Sequence, residues 1–298
     1  MISRRLFLLP GLTLCVPLAG CIVAGADSGW VTQSDEKRFP VQGTPEVVLA
    51  TFDGSIEIQS WNRPEVMVMI EKHAAGTAAA AAIEVQSSQD GNRVNVEVKR
   101  SAAHSWDWFG SGSARLVVSV PEAANVRASS GDGAIRVARV NGTIALRSGD
   151  GRIQASNSAG SVSASTGDGG IDLDGVDGAV EAITGDGRVR VSGKITAIRA
   201  RSGDGSIAIE ARPGSATEAD WNISSGDGAV NLQIPDDFNA ELDAHTGDGS
   251  VHLNGVSVTT TGTVTRNSVR GRLGSGGRPV RVRTGDGSIT LRRQSSQQ

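Results

Sequence analysis

Eight carboxylates recur in one setting. Asp132, Asp150, Asp168, Asp186, Asp204, Asp227, Asp248 and Asp286 each lie between two glycines, and a Ser or Thr precedes every Gly-Asp-Gly. An Asp held this way has three uses. It can accept hydrogen bonds from turn N–H groups, ligate a hard cation such as calcium, or act as a catalytic acid or base. Spacing separates these uses. Four successive steps are 18 residues, followed by 23, 21 and 38. An active site is a local departure from a repeat, and no copy departs, so no catalytic residue is assigned. The calcium β-roll also has coils of two nine-residue halves, but there the apolar residue follows the Asp by two. Here it follows by three and the upstream glycine pair is missing, so no metal and no cofactor is assigned.

The structural use accounts for all three residue types. Asp-Gly makes a turn in which Gly takes positive φ, and the hydroxyls of Ser130, Ser148, Thr166, Thr184, Ser202, Ser225, Thr246 and Thr284 bond along the stack or to the Asp. Stacked turns bring neighbouring carboxylates to about 5 Å, a repulsion of about 0.9 kcal/mol per pair in water. Backbone donors in the turn offset it.

The elements that present these turns are short strands. Apolar pairs two residues apart flank each marker: Ile135/Val137, Ile144/Leu146, Ile153/Ala155, Val162/Ala164, Ile171/Leu173, Val180/Ala182, Val189/Val191, Ile198/Ala200 and Ile207/Ile209. Residues two apart share one face of a strand. A weaker half-repeat falls nine residues after the Asp, at Asn141-Gly142, Ala159-Gly160 and Asp177-Gly178. A fixed short period means a solenoid. The pattern predicts an all-β fold: a parallel β-solenoid over 121–293, with about 18 residues and two strands per coil. The step of 38 is near two periods and predicts a coil that has lost its Asp. Residues 41–120 alternate differently, with a hairpin at Asp90-Gly91 and a short helical turn in the Ala run near residue 78. They read as an N-terminal β-rich cap. Residues 294–298 read as a disordered tail.

The first 20 residues have the form of a signal peptide: Arg4 and Arg5, a short apolar run, then Leu18-Ala19-Gly20-Cys21. "LAGC" resembles a bacterial lipobox, which makes Cys21 the lipidated residue and 21–40 a polar, aperiodic tether. "SRRLFL" resembles a twin-arginine export signal. Ile22 after the Cys points, by resemblance to bacterial sorting, to the outer membrane. Cys15 leaves with the signal, so no intramolecular disulfide forms. The chain is thus expected to be exported and lipid-anchored, on the periplasmic face of the outer membrane or at the cell surface.

Other chemistry is sparse. Net charge is −3 and aromatics are 3% of residues, with no Tyr, which excludes a nucleic-acid partner. None of the four His lies in a ligand motif. Two features offer contact. Trp106, Trp108 and Phe109 share a Gly/Ser-rich loop that either plugs the first coil or meets a sugar or protein. Eight Arg lie in 266–293, Arg281 and Arg283 among them. They fit anionic groups, or a charged edge strand that blunts end-to-end stacking.

The stretches "GSIEIQSWNRPEVMVMIEK", "VPEAANVRASSGDGAIRV", "IPDDFNAELDAHTGDGSVHL" and "GRLGSGGRPVRVRTGDGSITL" resemble a bacterial family of β-strand repeats, a domain of unknown function that carries an adhesin label. The resemblance spans residues 41–293. It implies a β-solenoid in the cell envelope and brings no catalytic residues. The expected function is a non-enzymatic envelope scaffold or adhesin that meets a repetitive glycan, peptidoglycan or an envelope protein. A periplasmic partner-binding module in envelope stress sensing and a β-helix carbohydrate-active enzyme are the alternatives.

Overall fold

The computed structural model describes residues 22–24, 29–101, 112–260 and 264–294. The chain opens with β1 (Ile22–Ala24), β2 (Trp30–Pro40), β3 (Glu46–Thr51), β4 (Ile56–Trp61) and β5 (Glu65–Ala75). A short helix, α1 (Gly76–Ala81), leads to β6 (Ile83–Asp90), β7 (Arg93–Arg100) and β8 (Gly112–Pro121). The repeat supplies β9 (Asn125–Ser130), β10 (Ile135–Ala138), β11 (Asn141–Ser148), β12 (Ile153–Thr166), β13 (Ile171–Thr184), β14 (Val189–Ser202) and β15 (Ile207–Ala211). It continues as β16 (Trp221–Ser225), β17 (Val230–Ile234), β18 (Ala240–Thr246) and β19 (Val251–Asn254). The chain closes with β20 (Thr259–Thr260), β21 (Ser268–Leu273), β22 (Pro279–Thr284) and β23 (Ile289–Arg293).

Pairing resolves these strands into two parallel ladders joined at every coil. The strands that enter the turns stack as β7, β3, β9, β11, the second halves of β12, β13 and β14, then β16, β22 and β18. The strands that leave the turns stack as β8, β4, β10, the first halves of β12, β13 and β14, then β15, β17, β23 and β19. Antiparallel strands cover the ends: β6 on β7, and β5 then β2 on β8. At the other end β21 lies on β18, with β20 beyond it. Period-two burial makes the core. Each apolar pair named above is buried, from Ile135 and Val137 to Ile207 and Ile209, and faces its counterparts across the narrow interior.

The sequence reading needs four corrections. Residues 30–40 are not tether: β2 pairs with β5 from Trp30↔Ala75 to Pro40↔Glu65. Its pattern hid this because only Val31 and Phe39 are buried on an otherwise polar outer strand. The region 41–120 is not only a cap, because β3 and β4 form a full coil in register with β9 and β10. The 38-residue step hides no degenerate coil. β22 and β23, last in the chain, insert between the coil of β16 and β17 and that of β18 and β19, while β20 and β21 cap the end. Therefore β22 is an interior strand and not a charged edge. The hairpin at Asp90-Gly91 and the Ala-rich turn of α1 lie where the sequence puts them.

Ile171 sits mid-stack, fully buried and in register with Ile153 and Val189. Ile171→Ala should lower stability by about 2–5 kcal/mol, because rigid rungs on both sides cannot collapse into the space. Urea denaturation midpoints check this.

Candidate functional site

The repeated turn is built around its hydroxyl. Ser148 is buried and donates to the Gly133 carbonyl of the preceding coil at 2.9 Å, while accepting from Gly151 N–H in its own turn at 3.0 Å. The same relay runs through Ser202 and Gly187 at 2.9 Å, Ser225 and Gly205 at 2.8 Å, and Thr246 and Gly287 at 2.7 Å. Each of these four hydroxyls thus fastens its own turn to the neighbouring rung with one donor and one acceptor.

The glycines do a different job from the one expected. Neither glycine of any Gly-Asp-Gly has positive φ. They are small because rungs approach closely there. A Cβ on Gly151 would overlap the Gly133 carbonyl, and one on Gly149 would lie 2.8 Å from the Asp132 carboxylate. Positive φ is needed instead at the half-repeat glycines, such as Gly160 at 111° and Gly178 at 135°.

Freed from holding the turn, the carboxylates face water. Asp132, Asp150, Asp168, Asp186, Asp204, Asp227, Asp248 and Asp286 are all exposed. Among the described residues none of them forms an ion pair or accepts a side-chain hydrogen bond. Asp132, Asp150, Asp168, Asp186, Asp204 and Asp227 each lean over the first glycine of the following rung, as Asp150 does over Gly167. Rungs about 4.8 Å apart turn them into one straight row. The row has a ninth member that the Gly-Asp-Gly marker misses. Asp53 stands at the equivalent position between β3 and β4, half-buried, with Phe52 in place of the first glycine and Gly54 at φ 131°. The signal was present, since "TFDGSIEI" matches "SGDGAIRV" position by position. Along the row the order is Asp227, Asp286, Asp248, because the last coil is inserted. Among the described residues no group of three or more His, Cys, Asp or Glu side chains gathers in a way that could hold a metal ion.

Arg281 and Arg283 lie on β22, and both are engaged. Arg281 pairs with Asp220 at 2.8 Å and Arg283 with Asp243 at 2.6 Å. Arg270 reaches the same Asp243 at 3.0 Å, and Arg272 pairs with Glu241 at 3.2 Å. The pairs of Asp243 and Glu241 join β18 to β21 and β22, and that of Asp220 joins β22 to the segment just before β16. Burial pushes the Asp243 carboxyl up, but hydrogen bonds from Arg283 and Arg270 and their charges outweigh it and hold it below the usual carboxylate range. Cys21, Trp106, Trp108 and Phe109 lie outside the described residues. Exposed His245 and His252 stand on β18 and β19 near the row's end.

Three outcomes follow. Thr184→Val keeps shape but leaves the Gly187 N–H buried without its acceptor, and should cost about 1–3 kcal/mol in urea titrations. Asp186→Asn should leave stability equal or slightly higher, since it relieves like-charge repulsion, and chelator should leave Tm unchanged. A melting point that falls by many degrees in chelator and returns with calcium would make the row a cation ladder. Asp243 contributes stability that is present above its unfolded pKa of about 4 and lost as pH falls through the depressed folded value. Asp243→Asn should therefore flatten the acid side of the stability curve, measured as urea midpoints at neutral and acid pH.

Two solved bacterial structures are similar to the chain. A putative adhesin from Bacteroides fragilis matches at 14% identity over 87% of this chain and 96% of that one, with a TM-score of 0.42. A putative lipid-binding protein from Parabacteroides distasonis matches at 10% identity over 87% and 96%, with a TM-score of 0.43. At these values neither informs on ligand. No curated protein matches the chain. No described helix is long and apolar enough to cross a membrane. The family described as Toastrack DUF4097 matches residues 46–292, from the first strand of the first coil to the last strand of the inserted one, and the chain belongs to that family.

Proposed function

We propose that the chain is an exported, lipid-anchored scaffold or adhesin of the cell envelope that binds a repetitive glycan, peptidoglycan or an envelope protein without chemically changing it. The observation that carries this reading is the row of nine carboxylates on successive rungs, without basic partners among the described residues. A carboxylate is a pure acceptor at neutral pH. A row of them at a fixed pitch suits a polymer that presents hydroxyl or amino donors at intervals. Each contact is weak and water-exposed, and affinity comes from many engaged at once. The paired ladders supply the rigidity that such avidity needs. The anchor at Cys21 and the outer-membrane location belong to the same reading and rest on the lipobox resemblance.

Cross-linking the mature protein in its own envelope, with protein and glycan recovered separately, tests it. Glycan or peptidoglycan at full length is the expected product. Changing Asp150, Asp168, Asp186 and Asp204 together to Asn should reduce that recovery by about tenfold or more. One stoichiometric protein in place of glycan would replace adhesion with a periplasmic partner-binding role. Shortened glycan would make the chain an enzyme.

A further inference from the structure

At the ends of the strands away from the Asp row, a groove of about 710 Å3 opens between the first and second repeat coils. It exists because the first coil closes late. β4 and β10 run in register from Ile56↔Ile135 to Gln59↔Ala138. After Ala138 the chain bends at once, whereas after Gln59 it continues through Ser60 and Trp61 and bends only at residues 62–64. The extra length leaves a notch bounded by Trp61, Arg63, Glu122, Arg139, Asn141 and Asn157.

Two of these residues are conformational outliers. The bend after Ala138 puts Arg139 at φ 57°, and the equivalent corners of the following coils are Asn157 at φ 50° and Gly175 at φ 64°. Glycine takes this backbone freely and Asn tolerates it, but Arg holds it against its own Cβ. Among the described residues, Arg139 and Asn157 are the non-glycine residues with positive φ, and both line the groove; Gly175 does not. The strain is confined to the groove and ends one coil beyond it. Strain of this kind persists where a side chain is wanted at that point.

The side chain in question is a guanidinium. Arg139 is exposed and forms no ion pair among the described residues. Arg63 lies 5.0 Å above the Trp61 ring, and the Trp61 indole N–H donates to the Glu65 carbonyl at 2.8 Å, which fixes the ring. The one acid in the lining, Glu122, already accepts from Asn141 at 3.0 Å. An aromatic ring, amides and an unneutralised cation therefore share one open notch. Aromatic walls with a few placed polar groups are the general composition of small-molecule sites.

We propose that this groove is a binding site for an acidic saccharide. Its carboxylate meets Arg139, its hydroxyls meet Asn141 and Asn157, and the C–H face of the ring lies against Trp61. The assignment rests on the glycan reading above for its ligand class and adds a discrete site to the row.

Titration calorimetry of the full chain with trigalacturonate as probe, and with maltotriose and triglutamate as controls, tests it. The acid sugar should bind saturably and both controls should bind at least about tenfold more weakly. Arg139→Gly should weaken the acid sugar by at least about tenfold, since a charge-assisted contact is lost. The same variant should melt at the same temperature or higher, since glycine fits φ 57° without strain. Undiminished binding by Arg139→Gly, absence of saturable binding by the unaltered chain, or equal binding of either control would overturn the proposal. The envelope cross-linking separates the two readings. If the unaltered chain recovers glycan and Arg139→Gly recovers as much, with calorimetric binding equally unchanged, the groove assignment fails alone. If the unaltered chain recovers no glycan and binds no trimer, both fail.

Discussion

Everything in this molecule depends on how closely one rung can approach the next at the repeated turn. The two ladders fix the pitch at the spacing of paired strands. At that pitch the turn backbones of neighbouring coils touch, and a single Cβ at Gly149 or Gly151 would collide with the rung before it. The glycines make the approach possible and the buried Ser or Thr hydroxyl locks it, bonding to one turn and accepting from another. Once these are set, apolar pairs such as Ile153 and Ala155 stack directly over Ile135 and Val137 and close the core.

The position between the glycines is left over by this arrangement. It points outward, its side chain makes no hydrogen bond among the described residues and it is free to take any polar residue, yet it is Asp in all eight copies, and the equivalent position of the first coil is Asp53. The fold tolerates this charge without using it to hold the turn, so the row is where structure and function separate. Charge elsewhere is used differently. The arginines of the last coil are absorbed into pairs with Asp220, Glu241 and Asp243, which tie the inserted strands to their neighbours.

The inserted coil also sets how the stack ends. A simple solenoid would expose its last rung as a template for another chain. Here the final strands β22 and β23 occupy the penultimate rung, and the antiparallel pair β20 and β21 covers one ladder beyond it. At the other end β6, β5 and β2 reverse direction and do the same. Antiparallel strands at both ends stop the parallel repeat from continuing.

The sequence alone determined the solenoid, its period, its inward residues and the turn row, because strict period-two burial and an 18-residue repeat admit few other arrangements. Local chemistry also made the hairpin at Asp90-Gly91 and the Ala-rich turn legible. What only the tertiary structure decided depends on pairing between residues distant in the chain. The strand at Trp30–Pro40 buries only Val31 and Phe39, near its two ends, and acquires its order from β5, so its pattern is too weak to read. The order of the last coils is set by which ladder edge β22 finds, and no spacing in the sequence encodes that. The same holds for the roles within the turn: the motif names Ser, Gly, Asp and Gly, but only the contact with the preceding rung reveals that the hydroxyl carries the bond, the glycines make the room and the carboxylate faces water.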